Sequence, residues 1–193
     1  MIPGDRPVGR LRRPDRIKFL IVSVAAAVFL WTACLSWAAD DGTVYATIGS
    51  LDVLGSGPHH LDLGFGLANI NRPHRLRGAG KIELRVGKKI AFVGPAVGLF
   101  INNEGFSYGY AGIYADLRYR RFILTPLIAA GVCHKGDSID LGGPLEFRES
   151  LEIAYRVDKR WLVGLSLAHI SNGNVYKNNP GQNDLLLTIA VGF

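Results

Sequence analysis

Along most of this chain apolar residues recur at every second position, and no stretch from Asp40 onward sustains a helical period. Residues 145–157 show it best: Leu145, Phe147, Leu151, Ile153, Tyr155 and Val157 fall on one face, broken only by Glu149. Glu146, Arg148, Ser150, Glu152, Ala154 and Arg156 fall on the other. Residues 79–87 set Lys81, Glu83 and Arg85 against Ile82, Leu84 and Val86 in the same way. Residues 60–70 set Leu61, Leu63, Phe65 and Leu67 against Asp62, Gly64, Gly66 and Ala68. With segments at 90–101, 107–119, 121–133, 161–171 and 183–193, the pattern predicts eight antiparallel strands closed into an all-β barrel. Pro95 and Pro126 require bulges or strand ends within them. Residues 42–58 offer one short strand before Gly55, Gly57 and Pro58 interrupt it, and 40–58 reads as a leader segment ahead of a barrel over 59–193.

Alternation alone does not say which face meets water. The N-terminus changes that. Six Lys/Arg precede an apolar run from Phe19 to Ala39 that ends in small residues before Asp40-Asp41. This is the layout of a secretory signal peptide over residues 1–39, cleaved after Ala38 or Ala39. The run is also long enough to be an uncleaved anchor. An exported chain with strands of this length fits a transmembrane barrel, apolar outside and polar inside. The alternation of Leu185, Leu187, Ile189 and Val191 up to Phe193 resembles the C-terminal signal of bacterial outer-membrane barrels. Six Lys/Arg and two Asp leave with the first 39 residues, so four of the six net positive charges go too, and nucleic-acid binding loses its support. Only Cys133 remains, too few cysteines for an internal disulfide and with no zinc spacing around it.

An even strand count puts both ends of the barrel on the periplasmic side, with short turns at 87–89, 119–121 and 157–160. The longer connections at 71–78, 102–106, 134–144 and 172–182 then lie outside. The seventh strand carries the one nucleophile–base candidate, because His169 and Ser171 share a face with Trp161, Val163, Leu165 and Leu167. That face is the apolar one. Asn183 falls on it too, whereas Asp184 is in phase with the lumen. A His–Ser pair at outer-leaflet depth suits an acyl ester within a lipid: the imidazole takes the Ser171 proton as the oxygen attacks the carbonyl. By itself, H-x-S is a weak motif.

Leu63-Gly64-Phe65-Gly66, Tyr108-Gly109-Tyr110-Ala111-Gly112, Leu124-Thr125-Pro126 and Leu145-Glu146-Phe147-Arg148 form a wider pattern. So do Lys135-Gly136-Asp137 with Asp140-Leu141-Gly142, Leu151 to Arg156, and His169-Ile170-Ser171-Asn172 followed by Asn179-Pro180-Gly181. Together these residues resemble the outer-membrane lipid A 3-O-deacylase family. The resemblance implies an eight-stranded barrel that removes an ester-linked 3-hydroxyacyl chain from lipid A of outer-leaflet lipopolysaccharide, without metal or cofactor. It implies His169 and Ser171 as catalytic residues and Asn172 as an oxyanion donor. It also implies a carboxylate at position 183, where this chain has Asn183, so the group orienting His169 is an amide. Cys-His-Asn sites use such an amide through its carbonyl oxygen. A homodimer is compatible with this reading and not required by it.

The other polar features have simpler accounts. Lys81, Glu83, Arg85, Glu146, Arg148, Glu152 and Arg156 would pair within a lumen just wide enough for side chains. Tyr108, Tyr110 and Tyr114 are wall or girdle aromatics, His59, His60 and His74 lack partners at metal-ligand spacing, and Gly64-x-Gly66 precedes no helix. Asn183 leaves open a second function, a catalytically degenerate barrel with a structural or lipid-binding role. An acyltransferase using the same pair is a third.

Overall fold

The computed structural model describes residues 42–193, so the expected signal peptide lies outside the described residues. The strands are β1 (Val44–Ile48), β2 (Leu51–Leu54), β3 (His60–Ala68), β4 (Arg77–Arg85), β5 (Gly94–Asn102) and β6 (Ser107–Tyr114). They continue with β7 (Asp116–Tyr119), β8 (Phe122–His134), β9 (Leu145–Arg156), β10 (Trp161–Ser171) and β11 (Gln182–Gly192). Pairing runs β3–β4–β5–β6–β8–β9–β10–β11 and returns to β3, every contact antiparallel. β7 continues β6 past an offset at Ala115, so the barrel has the eight staves that the alternation predicts.

Both prolines fall where the ladder tolerates them. Pro126 lies beside the offset, and its carbonyl accepts the Ala115 N–H. Pro95 is the second residue of β5, and its carbonyl accepts the Val86 N–H.

The interior is polar and the exterior apolar, the reverse of a soluble barrel. On β9 the outward Leu151, Ile153 and Tyr155 are exposed, while Glu146, Arg148 and Glu152 are fully buried. Within the lumen Arg85 donates to Glu152 at 3.0 and 2.9 Å, to Glu83 at 2.8 Å and to Asp62 at 2.5 Å. Lys81 donates to Asp62 at 2.9 Å, and the Tyr110 hydroxyl donates to Glu83 at 2.7 Å. This is the paired network the lumen charges suggest, with one exception: among the described residues both carboxylate oxygens of Glu146 are buried without a hydrogen-bond partner. Nearer the outer end Arg148 lies 5.5 Å from the ring centres of both Phe100 and Tyr110 and faces Asp184 at 3.5 Å.

Because Arg85 joins three carboxylates, truncating it leaves uncompensated buried charge. Arg85→Met is expected to destabilise the barrel by about 3–5 kcal/mol, read as a lower urea midpoint for unfolding in detergent micelles. Replacing Glu83 or Glu152 by Gln in the same chain should recover part of the loss.

Residues 44–54 form a β-hairpin instead of the single short strand the sequence suggests. β2 pairs with β7 through Asp52↔Arg118, Val53↔Leu117 and Leu54↔Asp116. That edge of β7 is free because β5 begins at Gly94, opposite Tyr114, and reaches no further. A bare edge invites foreign strands, and the hairpin covers it. An Asp52–Arg118 ion pair at 2.8 Å pins it there.

Candidate active site

β10 lies between β9 and β11, with outward residues at odd positions and buried ones at even positions. His169 is exposed on the outward face, and Ser171 follows on the same face, half-buried where the strand ends. In the β10–β11 ladder His169 stands directly opposite Asn183. Its Nδ1 lies 2.6 Å from Asn183 Oδ1. The oxygen of the amide accepts, so Nδ1 carries a proton, and in the neutral ring Nε2 is the nitrogen with the free lone pair. Asp184, one residue on, is fully buried in the lumen, where it accepts from Gln182 at 2.8 Å. Strand parity therefore brings His169 and Asn183 together and keeps Asp184 apart. No hydrogen bond joins Ser171 to His169, and none engages the Ser171 hydroxyl among the described residues.

The backbone around Asn183 is fixed by the β3–β4 loop. Ile70 N–H donates to the Asn183 carbonyl at 2.9 Å, and Asn183 N–H donates to Asn71 Oδ1 at 3.3 Å. Arg72 donates to the carbonyls of Pro180 and Gly181 at 2.6 and 2.8 Å. Gly181 has φ +61°, and a Cβ there would lie 2.8 Å from His169 Cε1. Glycine at 181 thus supplies the left-handed turn and leaves room for the ring.

Asn172 sits differently from a free oxyanion donor. It is fully buried; its side-chain N–H groups donate to Leu141 O at 2.6 Å and Asn178 O at 2.8 Å. Its backbone N–H donates to Asn179 Oδ1 at 3.1 Å. The bonds to Asn178 and Asn179 close the 172–181 loop on itself, and the bond to Leu141 ties that loop to the β8–β9 loop. Across that contact Gly142, at φ +103°, meets the Asn178 carbonyl so closely that a Cβ would lie 1.8 Å from it. The exposed Asp140 carboxylate sets up the Gly142 turn. The Gly142 N–H, 2.9 Å away, and Lys135, at 3.1 Å, hold its pKa below the usual carboxylate range. Arg72 gives no local signal in the sequence, because its partners lie on a distant loop.

On the outward surface beside the site is a groove of about 390 Å³, floored by Ala111, Gly112 and Ala130 and edged by Ile128, Phe147 and Glu149. Register ties it to the pair: Ser171 stands opposite Phe147, Phe147 opposite Ala130, and Ala130 opposite Ala111. It spans three strand spacings from Ser171, roughly 14 Å. Among the described residues, no group of His, Cys, Asp and Glu side chains is placed to hold a metal ion.

Comparison with known proteins bears on the whole barrel. The chain resembles the solved outer membrane enzyme PagL with TM-score 0.52 and 12% identity over 69% of this chain and 99% of that one, a likeness of fold. A designed transmembrane β-barrel gives TM-score 0.49 at 14% identity, covering 73% of this chain and 99% of the design. The Yersinia pestis outer membrane protein Ail gives 0.46 at 12% identity, covering 72% of this chain and 100% of that one. No curated protein matches the chain. The model of the lipid A 3-O-deacylase (PagL) family matches residues 60–191, from the first stave of the barrel through the His169–Asn183 hairpin, and the chain belongs to that outer-membrane family.

Proposed function

We propose that this protein hydrolyses an ester-linked 3-hydroxyacyl chain of lipid A at a Ser171–His169–Asn183 site on the lipid-facing surface of the barrel. The observation that carries the reading is the 2.6 Å bond from His169 to Asn183 on the outward face. It leaves Nε2 as a base on the same strand face as a hydroxyl that no described residue engages. The Ser171 Oγ attacks the acyl carbonyl while its proton passes to Nε2, and catalytic hydrogen bonds of this kind tighten when substrate arrives. The tetrahedral intermediate then collapses, the C–O bond to the sugar breaks, and His169 returns the proton to the departing alkoxide. Water, deprotonated by the same nitrogen, releases the fatty acid from Ser171. The developing oxyanion needs N–H donors. The Gly173 N–H donates to no described acceptor and is available. Asn172 serves only by exchanging one of its loop carbonyls for the oxyanion.

The groove beside Ser171 supports a membrane-resident acyl substrate, since its floor is alanine and glycine. Ala130→Leu partly fills it. The expected result is about a tenfold lower kcat/KM for a long-chain ester with little change for a short soluble one. Equal effects on both would remove the groove from the acyl path.

The direct test incubates the detergent-folded protein with lipid A and follows its mass. Loss of one 3-hydroxyacyl chain, with the free acid recovered, supports the reading; unchanged mass overturns it. Asn183 favours one other reading, a lipid-binding barrel that has lost hydrolysis, which predicts unchanged mass.

A further inference from the structure

The outward face of β9 carries a single acidic residue. Leu145, Phe147, Leu151, Ile153 and Tyr155 are exposed and apolar, and Glu149 stands exposed among them. The ladder places Glu149 directly opposite His169, on the flank away from Asn183. Residues facing one another across antiparallel strands have Cβ atoms about 4.5–5.5 Å apart, so the imidazole lies between an amide on β11 and a carboxylate on β9. Among the described residues no hydrogen bond or ion pair engages the Glu149 carboxylate. An unpaired charge on the lipid-facing side of a membrane barrel is unfavourable, and such residues mark function. Other groups close to the ring are accounted for: Arg72 is bound to the 180–181 carbonyls, and Asp184 faces the lumen.

We propose that Glu149 is a positioning residue that supplies the negative charge His169 needs during acyl transfer. When the Ser171 proton moves to Nε2, the ring becomes an imidazolium whose Nδ1–H is held by a neutral amide oxygen. Asn183 fixes the tautomer but cannot balance the charge. The Glu149 carboxylate, on the opposite flank and beside a low-dielectric phase, does so through space. The division of labour is orientation from β11 and counter-charge from β9. This inference rests on the Ser171–His169 reading given above.

The test uses the full chain folded in detergent micelles, with two readouts. One is covalent labelling of Ser171 by a fluorophosphonate probe, in which Oγ attacks phosphorus and fluoride leaves. The other is acyl release from lipid A. Glu149→Gln is expected to slow both roughly 10- to 100-fold. Glu149→Asp should recover most of the rate. A Gln variant with unchanged rates overturns the role of Glu149 while leaving the Ser171–His169 site standing. Glu149-dependent labelling without acyl release keeps the role and overturns lipid A as substrate. A wild-type chain whose Ser171 is not labelled at all overturns both.

Discussion

Ser171→Ala is expected to abolish acyl release from lipid A, lowering the rate by about 10⁴-fold or more, as loss of a nucleophile does in a unit whose members act together. The barrel itself should be indifferent. Ser171 is half-buried at the end of β10, its hydroxyl is engaged by no described residue, and its backbone pairs with Phe147 whatever the side chain. Substitutions of this kind usually change stability by less than about 0.5 kcal/mol. Activity and folding are thus separable: heat-modifiable mobility on a gel should match wild type while the lipid A mass stays constant. Adding His169→Ala to Ser171→Ala should cost little more, because base and nucleophile act on one proton. Retention of more than a hundredth of the wild-type rate by Ser171→Ala would mean that another group attacks the ester.

The second large effect runs in the other direction. Asn183→Glu puts a carboxylate directly opposite His169. In a serine protease, exchanging the triad carboxylate for an amide lowers the rate about 10⁴-fold because the wrong tautomer is held. Here the amide already presents its oxygen to Nδ1 at 2.6 Å, so the tautomer is correct and what the β11 flank lacks is a charge. The expected gain is therefore smaller, roughly 10- to 100-fold in kcat/KM. It should be larger in a Glu149→Gln background, where no other carboxylate flanks the ring. The measurement is the initial rate of fatty-acid release for the four combinations at positions 149 and 183. Equal gains in both backgrounds would show that the two carboxylates act independently. Activity that appears only with Glu at 183 would identify the natural chain as a degenerate member of its family.

Much of this was legible in one dimension because a strand has a period of two. Alternation along 145–157 and 161–171 separates the faces of β9 and β10, and the same parity assigns His169, Ser171 and Asn183 to one side and Asp184 to the other. No long-range information is needed for that. The Asn172 assignment shows the limit. The family resemblance implies an oxyanion donor there, and which carbonyls its side-chain N–H groups meet, those of Leu141 and Asn178, is not legible in the sequence. One of these lies in a loop 31 residues away in the chain. The hairpin at 44–54 shows it again. Its strands are short and interrupted by glycine, and what makes them a hairpin is the open edge of β7, exposed because β5 stops at Gly94.

Glu149 lies between these cases. Its isolation on an apolar stripe is plain in the sequence. Its neighbour is not, because the partner depends on the register between β9 and β10; counting back from the Val157–Arg160 turn reaches the pair, and alternation alone does not. The sequence by itself therefore determined the barrel, its inverted polarity and which side chains share the outward face, since these follow from local backbone geometry and the cost of placing charge in lipid. Only the tertiary structure decided which of those side chains stand opposite one another, and which donors are already engaged. Register and loop packing are set by contacts between segments far apart in the chain.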